Sequence, residues 1–294
     1  MSKLYIIGNG FDLAHGIESS YEDFFKFIAD GSKYGQLSVM LDDFYGDCGD
    51  LWSDFETTLG LIKGQSIHRF AESEVNAVEL DEKDLYRQED LMGWTAQGIH
   101  NQLADAFTDW VNQINIEGVW KVYDLDKNAQ FLTFNYTQTL EHIYKIQAAN
   151  VMHIHLCKEK PIFGHGLEEY KESWPKSGYE SVLTDMARDR ANELFTEFKK
   201  PVSVILERNE AFFDSLSGKI TDVHVIGHSL AKVDMPYFSE IHSQCPNAIW
   251  NIYYYDPYCT KTMNVHHREI SKKLAGTGLP LSQIYTLNDS SIKL

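Results

Sequence analysis

The chain has 294 residues, of which 43% are hydrophobic and 13% aromatic, so it can bury a large core. Its formal net charge of −17 argues against nucleic acid as a partner, because no run of Lys or Arg offsets it locally. No stretch approaches the roughly 20 apolar residues of a membrane-spanning helix, and the chain opens on a strand pattern instead of a signal peptide. We therefore expect a cytoplasmic protein that does not bind membranes. The four cysteines lack C-x-x-C spacing, so no zinc site is predicted.

Short apolar runs alternate with helical patterns along the chain. Each run is rich in Val, Ile, Phe or Tyr and nearly continuous in hydrophobicity, which is typical of strands covered on both faces. The runs predict strands at residues 4–7, 131–134, 151–154, 223–226 and 249–255. Apolar residues at helical spacing predict helices around residues 21–28, 99–114 and 140–144.

This alternation predicts a Rossmann-like, doubly wound parallel α/β sheet. We expect residues 1–294 to form a single sirtuin-like domain with helical insertions near 48–115 and 167–216. Ligands of such sheets bind at the carboxyl ends of the strands. The residues that follow each predicted strand are therefore the candidates for a site.

A glycine-bearing turn follows the first predicted strand. Gly8 and Gly10 allow the backbone to turn sharply and to approach a phosphate or ribose closely. The spacing departs from the dinucleotide fingerprint G-x-G-x-x-G, so an ordinary strand-to-helix turn is the alternative interpretation. The candidate ligand contacts here are Gly8, Asn9, Gly10, Phe11 and Asp12.

Asn135 and Tyr136 follow the second predicted strand and are further candidates. The Asn135 carboxamide has separate donor and acceptor groups, with which it can hold a ribose hydroxyl or a water molecule. The alternative is a structural role for Asn135 in an Asx-turn or as an N-cap of the next helix.

Histidines occur two residues apart on the third predicted strand, and a further histidine follows. His153 and His155 are expected to share one face, so that one can act as a general base while the other orients it or contacts a ligand. Metal ligation by these histidines is the rival interpretation. His165, between two glycines in the loop beyond, is expected to matter less.

The last two predicted strands also end in polar residues. Gly227, His228, Ser229 and Asp234 follow the fourth strand and are candidate contacts to phosphate or ribose. Asp256 follows the fifth strand, where an acidic residue can bind an adenosine ribose. Because Pro257 comes next, a turn is an equally good explanation of Asp256.

In this order the motifs resemble the AbiH-type bacteriophage abortive-infection proteins, over nearly the whole chain. The resemblance rests on residues 6–13, 21–24, Trp52, Glu56, 134–137, 153–155, 227–230 and Asp234. That family in turn resembles, distantly, the sirtuin-type NAD-binding fold. This second resemblance implies a phosphate loop at Gly8 and Gly10, a catalytic Asn135, a base at His155, and ribose or phosphate contacts from Gly227 and Ser229.

The sirtuin-like pattern is not matched at every position. The catalytic His is usually followed by Gly in those proteins, whereas Leu156 follows His155 here, so His153 stays an alternative base. No four-cysteine zinc site of the deacetylase kind is present. The resemblance therefore implies direct cleavage of a nucleotide more than protein deacetylation.

The function expected from these patterns is hydrolysis of the nicotinamide–ribose bond of NAD, or of NADP, during phage infection. NAD is expected as the substrate, with no other cofactor, and assembly of copies or a phage product is expected to control the activity. One alternative is a metal-dependent phosphoesterase or nuclease. It would use Asp12, Asn135, His153, His155 and His228. The other alternative is a nucleotide-binding sensor or toxin partner that performs no turnover.

Overall fold

A computed structural model describes the architecture of the chain. The described residues are 2–30, 33–45, 54–74, 82–157, 160–172, 182–254, 262–275, 279 and 281–286. They fall into two compact units. The sheet unit comprises residues 1–20, 113–162 and 201–294, and the helical unit comprises residues 21–112 and 163–200.

The sheet unit is built on a six-stranded sheet in which every neighbouring pair of strands is parallel. Its strands are β1 (Ser2–Ile7), β2 (Gln130–Thr133), β3 (Val151–His153), β6 (Ile220–Ile226), β7 (Ile249–Tyr254) and β8 (Leu281–Thr286). Between them, β4 (Leu156–Cys157) and β5 (Lys160–Pro161) form a separate antiparallel pair. The predicted parallel α/β sheet is confirmed, with one strand, β8, that the apolar runs did not predict.

The spatial order of the sheet is β3-β2-β1-β6-β7-β8. The first strand of the chain is thus central, and the order reverses between β1 and β6. This is the order of the Rossmann fold, in which ligands bind outside the carboxyl ends of the strands at the point of reversal. Here that point lies beyond Ile7 on β1 and Ile226 on β6, which are paired in register.

Side chains alternate between the two faces of the sheet, and each face carries its own buried cluster. Leu4 and Ile6 belong to one cluster, with Ile205, Phe213, Tyr237 and Ile270. Tyr5 and Ile7 belong to the other, with Phe11 and Leu140. Helices therefore cover both faces, as a doubly wound sheet requires. The helices of this unit are α1 (Asn9–Ala14), α7 (Thr139–His142), α9 (Val202–Arg208), α10 (Glu210–Leu216), α11 (Met235–Gln244) and α12 (Met263–Leu274).

The helical unit packs its helices around a cluster of aromatic side chains. The ring of Phe107 lies 5.2 Å from that of Phe24, 5.3 Å from that of Trp110 and 4.5 Å from that of Phe163. Aromatic pairs of this kind stabilise a fold by more than the burial of their apolar area alone. The helices are α2 (Tyr21–Asp30), α3 (Gly35–Tyr45), α4 (Phe55–Leu59), α5 (Gly64–Glu74), α6 (Glu82–Val111) and α8 (Val182–Glu197).

Among the residues that the structure describes, no helix combines the length and the hydrophobicity needed to cross a bilayer.

Candidate functional site

The glycine turns after β1 and β6 pack directly on each other. The Gly8 N–H donates to the Ile226 carbonyl at 2.9 Å, and the Gly10 N–H donates to the Gly227 carbonyl at 2.7 Å. A Cβ on Gly8 would overlap the His228 backbone, and one on Gly227 would overlap the Phe11 nitrogen. The glycines therefore allow the two turns to approach each other closely, and the approach to a phosphate or ribose stays a prediction. These two N–H groups are occupied, so phosphate binding has to rely on other donors.

The remaining residues of the first turn have different roles. Asn9 exchanges two hydrogen bonds with Ser19: its Nδ2 donates to the Ser19 carbonyl at 2.9 Å, and the Ser19 hydroxyl donates to its Oδ1 at 2.7 Å. Phe11 is fully buried, with its ring 4.5 Å from that of His15 and 5.5 Å from that of Tyr144. The contacts of Asn9 and Phe11 thus hold the turn together, whereas Asp12 belongs to a polar cluster.

Asp12 is completely buried in α1. Its Oδ2 accepts a hydrogen bond of 2.6 Å from the Thr137 hydroxyl, which lies 2.9 Å from the Thr139 hydroxyl. Its Oδ1 has no hydrogen-bond partner among the described residues. Burial raises the pKa of Asp12 to about 6, although the two threonines, the Asn135 carboxamide and the charge of His153 act in the opposite direction.

Asn135 completes this polar cluster beyond the end of β2. It is 5% exposed, and its backbone N–H donates to the Thr133 hydroxyl at 3.1 Å. Its side-chain Oδ1 has no hydrogen-bond partner among the residues described. Asp12 and Asn135 therefore each place one buried acceptor atom at the same edge of the sheet, and such atoms are costly unless something donates to them.

His153 borders the same cluster. Its Nε2 lies 2.8 Å from Oε1 of Glu141 and its Nδ1 lies 3.4 Å from the Asn135 carbonyl oxygen. Burial acts to raise the pKa of Glu141, but the hydrogen bond and charge of His153 outweigh it and lower that pKa. Both ring nitrogens of His153 thus face oxygen acceptors, and the ring links Glu141 to the backbone of Asn135.

His155 is not on the same strand face as His153, contrary to the prediction. Strand β3 ends at His153, so the alternation of side chains does not continue to His155, which lies in a turn. The His155 ring instead lies 5.0 Å from the ring of Phe134 and 6.1 Å from that of Tyr237, against the other face of the sheet. The two histidines have separate surroundings.

His155 belongs to a second buried polar cluster, with Asp234 and His228. The two carboxylate oxygens of Asp234 lie 3.6 Å from Nε2 of His155 and 3.6 Å from Nε2 of His228. The Leu230 N–H donates to Nδ1 of His228 at 2.9 Å, so a neutral His228 carries its proton on Nε2, toward Asp234. Asp234 thus stands between two histidines.

The other predicted residues are spread more widely. The Tyr136 hydroxyl donates to the Ile162 carbonyl at 3.0 Å, with its ring 6.4 Å from that of His155. Ser229 is exposed, and its carbonyl oxygen accepts from Lys273. Asp256 lies outside the described residues, as does Trp52.

His165 has a structural role in the helical unit. Its Nε2 donates to the Phe195 carbonyl at 2.7 Å, and its Nδ1 accepts from the Leu167 N–H at 3.2 Å. Burial lowers the pKa of His165, which favours this neutral form. In the same unit, the Lys200 ammonium lies 2.9 Å from the Glu56 carboxylate.

Sequence reasoning missed the residues that support the first cluster. Thr137, Thr139 and Glu141 follow one another at i, i+2 spacing after β2, from just before α7 into α7, and that spacing was the available signal. His15 was missed as well. Its Nε2 lies 2.7 Å from the Tyr144 hydroxyl, which accepts from the Tyr123 N–H at 3.1 Å. These contacts anchor the loop before β2 to α1.

The metal-dependent alternative finds no support in this arrangement. Within the described ranges, no group of three or more His, Cys, Asp or Glu side chains is disposed to hold a metal ion. The physical reason is the separation of His153 from His155, which divides the predicted ligands between two clusters. In the first cluster the Asp12 carboxylate neighbours the Asn135 carboxamide.

A parallel sheet of this order, with polar side chains gathered beyond β1, β2, β3 and β6, defines a Rossmann-like α/β protein. The chain belongs to the bacteriophage abortive infection AbiH family, whose sequence model matches residues 4–254. The predicted family is thus confirmed, and membership supports a role in abortive infection, an antiviral defence. No curated protein and no solved structure matches the chain significantly.

Proposed function

We propose that this chain acts in abortive infection by hydrolysing the nicotinamide–ribose bond of NAD or NADP. The observation that carries the proposal is the placement of Asn135, buried beyond the end of β2 with a carboxamide oxygen that has no partner among the described residues. The carboxyl edge of a Rossmann-like sheet is where nucleotides bind. A buried carboxamide with an uncommitted oxygen is suited to orient a ribose hydroxyl or an attacking water there.

The chemistry of this bond explains what the site has to supply. The bond between C1′ and the pyridinium nitrogen breaks, and its electron pair neutralises the nicotinamide that leaves. A water oxygen bonds to C1′ of the oxocarbenium-like ribose and gives up one proton. Orientation of the ribose and of this water is worth several orders of magnitude in rate, and exclusion of bulk water strengthens each polar contact.

We assign the water proton to His155 and a positioning role to His153. Both nitrogens of His153 already face oxygens, of Glu141 and of the Asn135 backbone, so this ring is placed to hold Asn135. His155 lies beside Asp234, whose carboxylate would stabilise the imidazolium formed on proton uptake. Each histidine thus has a carboxylate neighbour and a distinct task.

The family supplies the setting for this reaction. Depletion of NAD in an infected cell would stop phage replication, and uncontrolled hydrolysis would harm the host. We propose that assembly of several copies, or a phage product, controls the activity. NAD enters only as the substrate, and neither nucleic acid nor a membrane takes part in the proposed reaction.

The test is release of nicotinamide and ADP-ribose from NAD by the purified protein, with and without phage lysate. We expect Asn135→Ala to lower turnover by at least about 100-fold at an unchanged melting temperature, because truncation misplaces the reacting atoms. Asn150→Ala is the matched control. Asn150 lies just before β3, at the amino end of the parallel strands, whereas Asn135 lies beyond the carboxyl end of β2. We expect this variant to keep full activity.

Three outcomes would contradict the proposal. A folded Asn135→Ala protein with undiminished cleavage would remove Asn135 from the mechanism. Binding of NAD by calorimetry with no product would favour the sensor alternative. Cleavage of a phosphodiester that EDTA abolishes and added metal restores would favour the phosphoesterase alternative.

A further inference from the structure

Three buried acceptor atoms of the first polar cluster have no hydrogen-bond partner among the described residues. One is Oε2 of Glu141, and the other two are Oδ1 of Asp12 and Oδ1 of Asn135, on side chains that are 0% and 5% exposed. Buried polar atoms in native proteins nearly always have a partner, and each exception calls for an explanation. Two such exceptions on neighbouring side chains indicate a missing group that donates twice.

Of the two oxygens of the Asp12 carboxylate, Oδ2 is held by a hydrogen bond. Thr137 donates to Oδ2 at 2.6 Å, and Thr139 lies 2.9 Å from the Thr137 hydroxyl, so the plane of the carboxylate is held by this bond. Oδ1 is thereby held in place as an acceptor. A site of this kind is preorganised, because the protein has already paid the cost of ordering it.

We infer that Asp12 and Asn135 form a binding site for the vicinal diol of a ribose, in which each side-chain oxygen accepts a hydrogen bond from one hydroxyl group. Two adjacent hydroxyls on one ring supply two donors to two acceptors at fixed spacing. Bonds from a hydroxyl to an ionised carboxylate are among the stronger hydrogen bonds.

Other ligand chemistries fit this place less well. A phosphate would meet the negative charge of Asp12 and two acceptor atoms. A divalent cation prefers several carboxylates, and among the described residues no group of three or more His, Cys, Asp or Glu side chains is disposed to hold one. A trapped water is the remaining source of O–H donors, and it is separated from a diol by experiment.

This inference rests on the proposed function, since it names the part of the nucleotide that the site holds. The sequence predicts Asp12 as a ligand contact without naming the group that it binds, and the inference assigns it to a ribose hydroxyl. A diol held by Asp12 and Asn135 would also fix the orientation of the ribose ring whose C1′ bond breaks. Asp12 would then influence both binding and turnover.

The experiment is calorimetric binding of ADP-ribose, and of analogues that lack the 2′-hydroxyl of one or the other ribose. We expect one analogue to bind the unmodified protein at least about 10-fold more weakly than ADP-ribose. Asp12→Asn should weaken ADP-ribose to a similar extent and should have little further effect on that analogue. The ligand series alone tests the inference even where a variant folds poorly.

Asp222→Asn is the matched control for Asp12→Asn. The Asp222 carboxylate also accepts from a threonine hydroxyl at 2.6 Å, from Thr221, but it lies near the start of β6 and is only partly buried. We expect its replacement to leave ADP-ribose binding unchanged. An equal loss of affinity in both variants would assign the effect to overall charge and would overturn the inference.

Failure of the inference and failure of the proposed function give different results. If both deoxy analogues bind as tightly as ADP-ribose while NAD is cleaved, a water occupies the site and only the inference fails. If diol-dependent binding is found and NAD is not cleaved, the inference stands and hydrolysis fails. If no ribosyl nucleotide binds, both fail.

Discussion

The Asp12 carboxyl is held in place by a hydrogen bond from Thr137, but its burial disfavours the ionised form. Burial raises its pKa from 3.8 to about 6 in the folded protein. Between pH 4 and pH 6 the folded state therefore binds more protons at this position than the unfolded state does. The free energy of unfolding falls as the pH rises through this interval. At neutral pH the ionised Asp12 destabilises the fold, by about 3 kcal/mol at most for a shift of this size.

We predict that Asp12→Asn raises the melting temperature near pH 7.5 and gives little gain at pH 4, where the Asp12 carboxyl of the folded protein is protonated and carries no buried charge. The variant keeps the shape of the side chain and removes the buried charge. Thermal denaturation from pH 4 to pH 8 measures the difference. Asp222→Asn, at a half-buried carboxylate, should change the melting temperature less than Asp12→Asn across the same interval. A gain at pH 4 as large as at pH 7.5 would contradict the prediction.

The sequence predicted which residues lie at the strand ends, but not which distant residues contact each other. The ends of the strands were predictable, so Asn135 and Gly227 were placed correctly at the carboxyl edge. The bond between Asp12 and Thr137 joins residues 125 positions apart, and no local pattern records such a contact. The same holds for His15 and Tyr144, which meet across 129 positions.

At the level of elements, the buried strands were predictable because continuous apolar runs are characteristic of strands covered on both faces. Strand β8 was missed because Leu281, Ile284 and their neighbours mix polar and apolar residues, as a strand at the edge of a sheet can. The early end of β3 was also missed. Periodicity predicts which residues share a face only while the strand continues, and it gives little warning of where pairing stops.

The contact between the turns after β1 and β6 gives a prediction about backbone geometry. Gly227 has φ of +63°, and a Cβ there would overlap the backbone of Gly10 and Phe11. We expect Gly227→Ala to destabilise the protein by about 3 kcal/mol or more, from the left-handed conformation and the overlap together. Denaturant unfolding of both this variant and its control measures the cost.

Gly218→Ala is the control for Gly227→Ala. Gly218 has nearly the same φ, +65°, but a Cβ there would meet no atom within 4 Å. This variant should lose only about 1 to 2 kcal/mol, the cost of the left-handed conformation alone. Equal losses in the two variants would show that the packing of the turns adds nothing.

For the whole molecule, family membership connects the site to phage defence. We predict that a bacterium expressing the chain resists a susceptible phage, and that Asn135→Ala abolishes resistance while Asn150→Ala preserves it. The physical reason is loss of turnover in a protein that still folds. Plaque counts, with NAD measured in the same infected cultures, check this. Resistance by Asn135→Ala at normal protein levels would separate defence from the proposed chemistry.

The central position of β1 constrains when the protein can become active during its synthesis. Strand β1 pairs with β2 at residues 130–133 and with β6 at residues 220–226, so the segment made first has to wait for partners made much later. At bacterial rates of about 5 to 20 residues per second, the wait for β6 lasts roughly 10 to 40 s. During that time Gly8 and Gly10 lack the carbonyls of Ile226 and Gly227 to which they donate. A nascent chain in which β6 has not yet been made thus lacks the hydrogen bonds that hold the turn after β1 at the edge that carries Asp12 and Asn135.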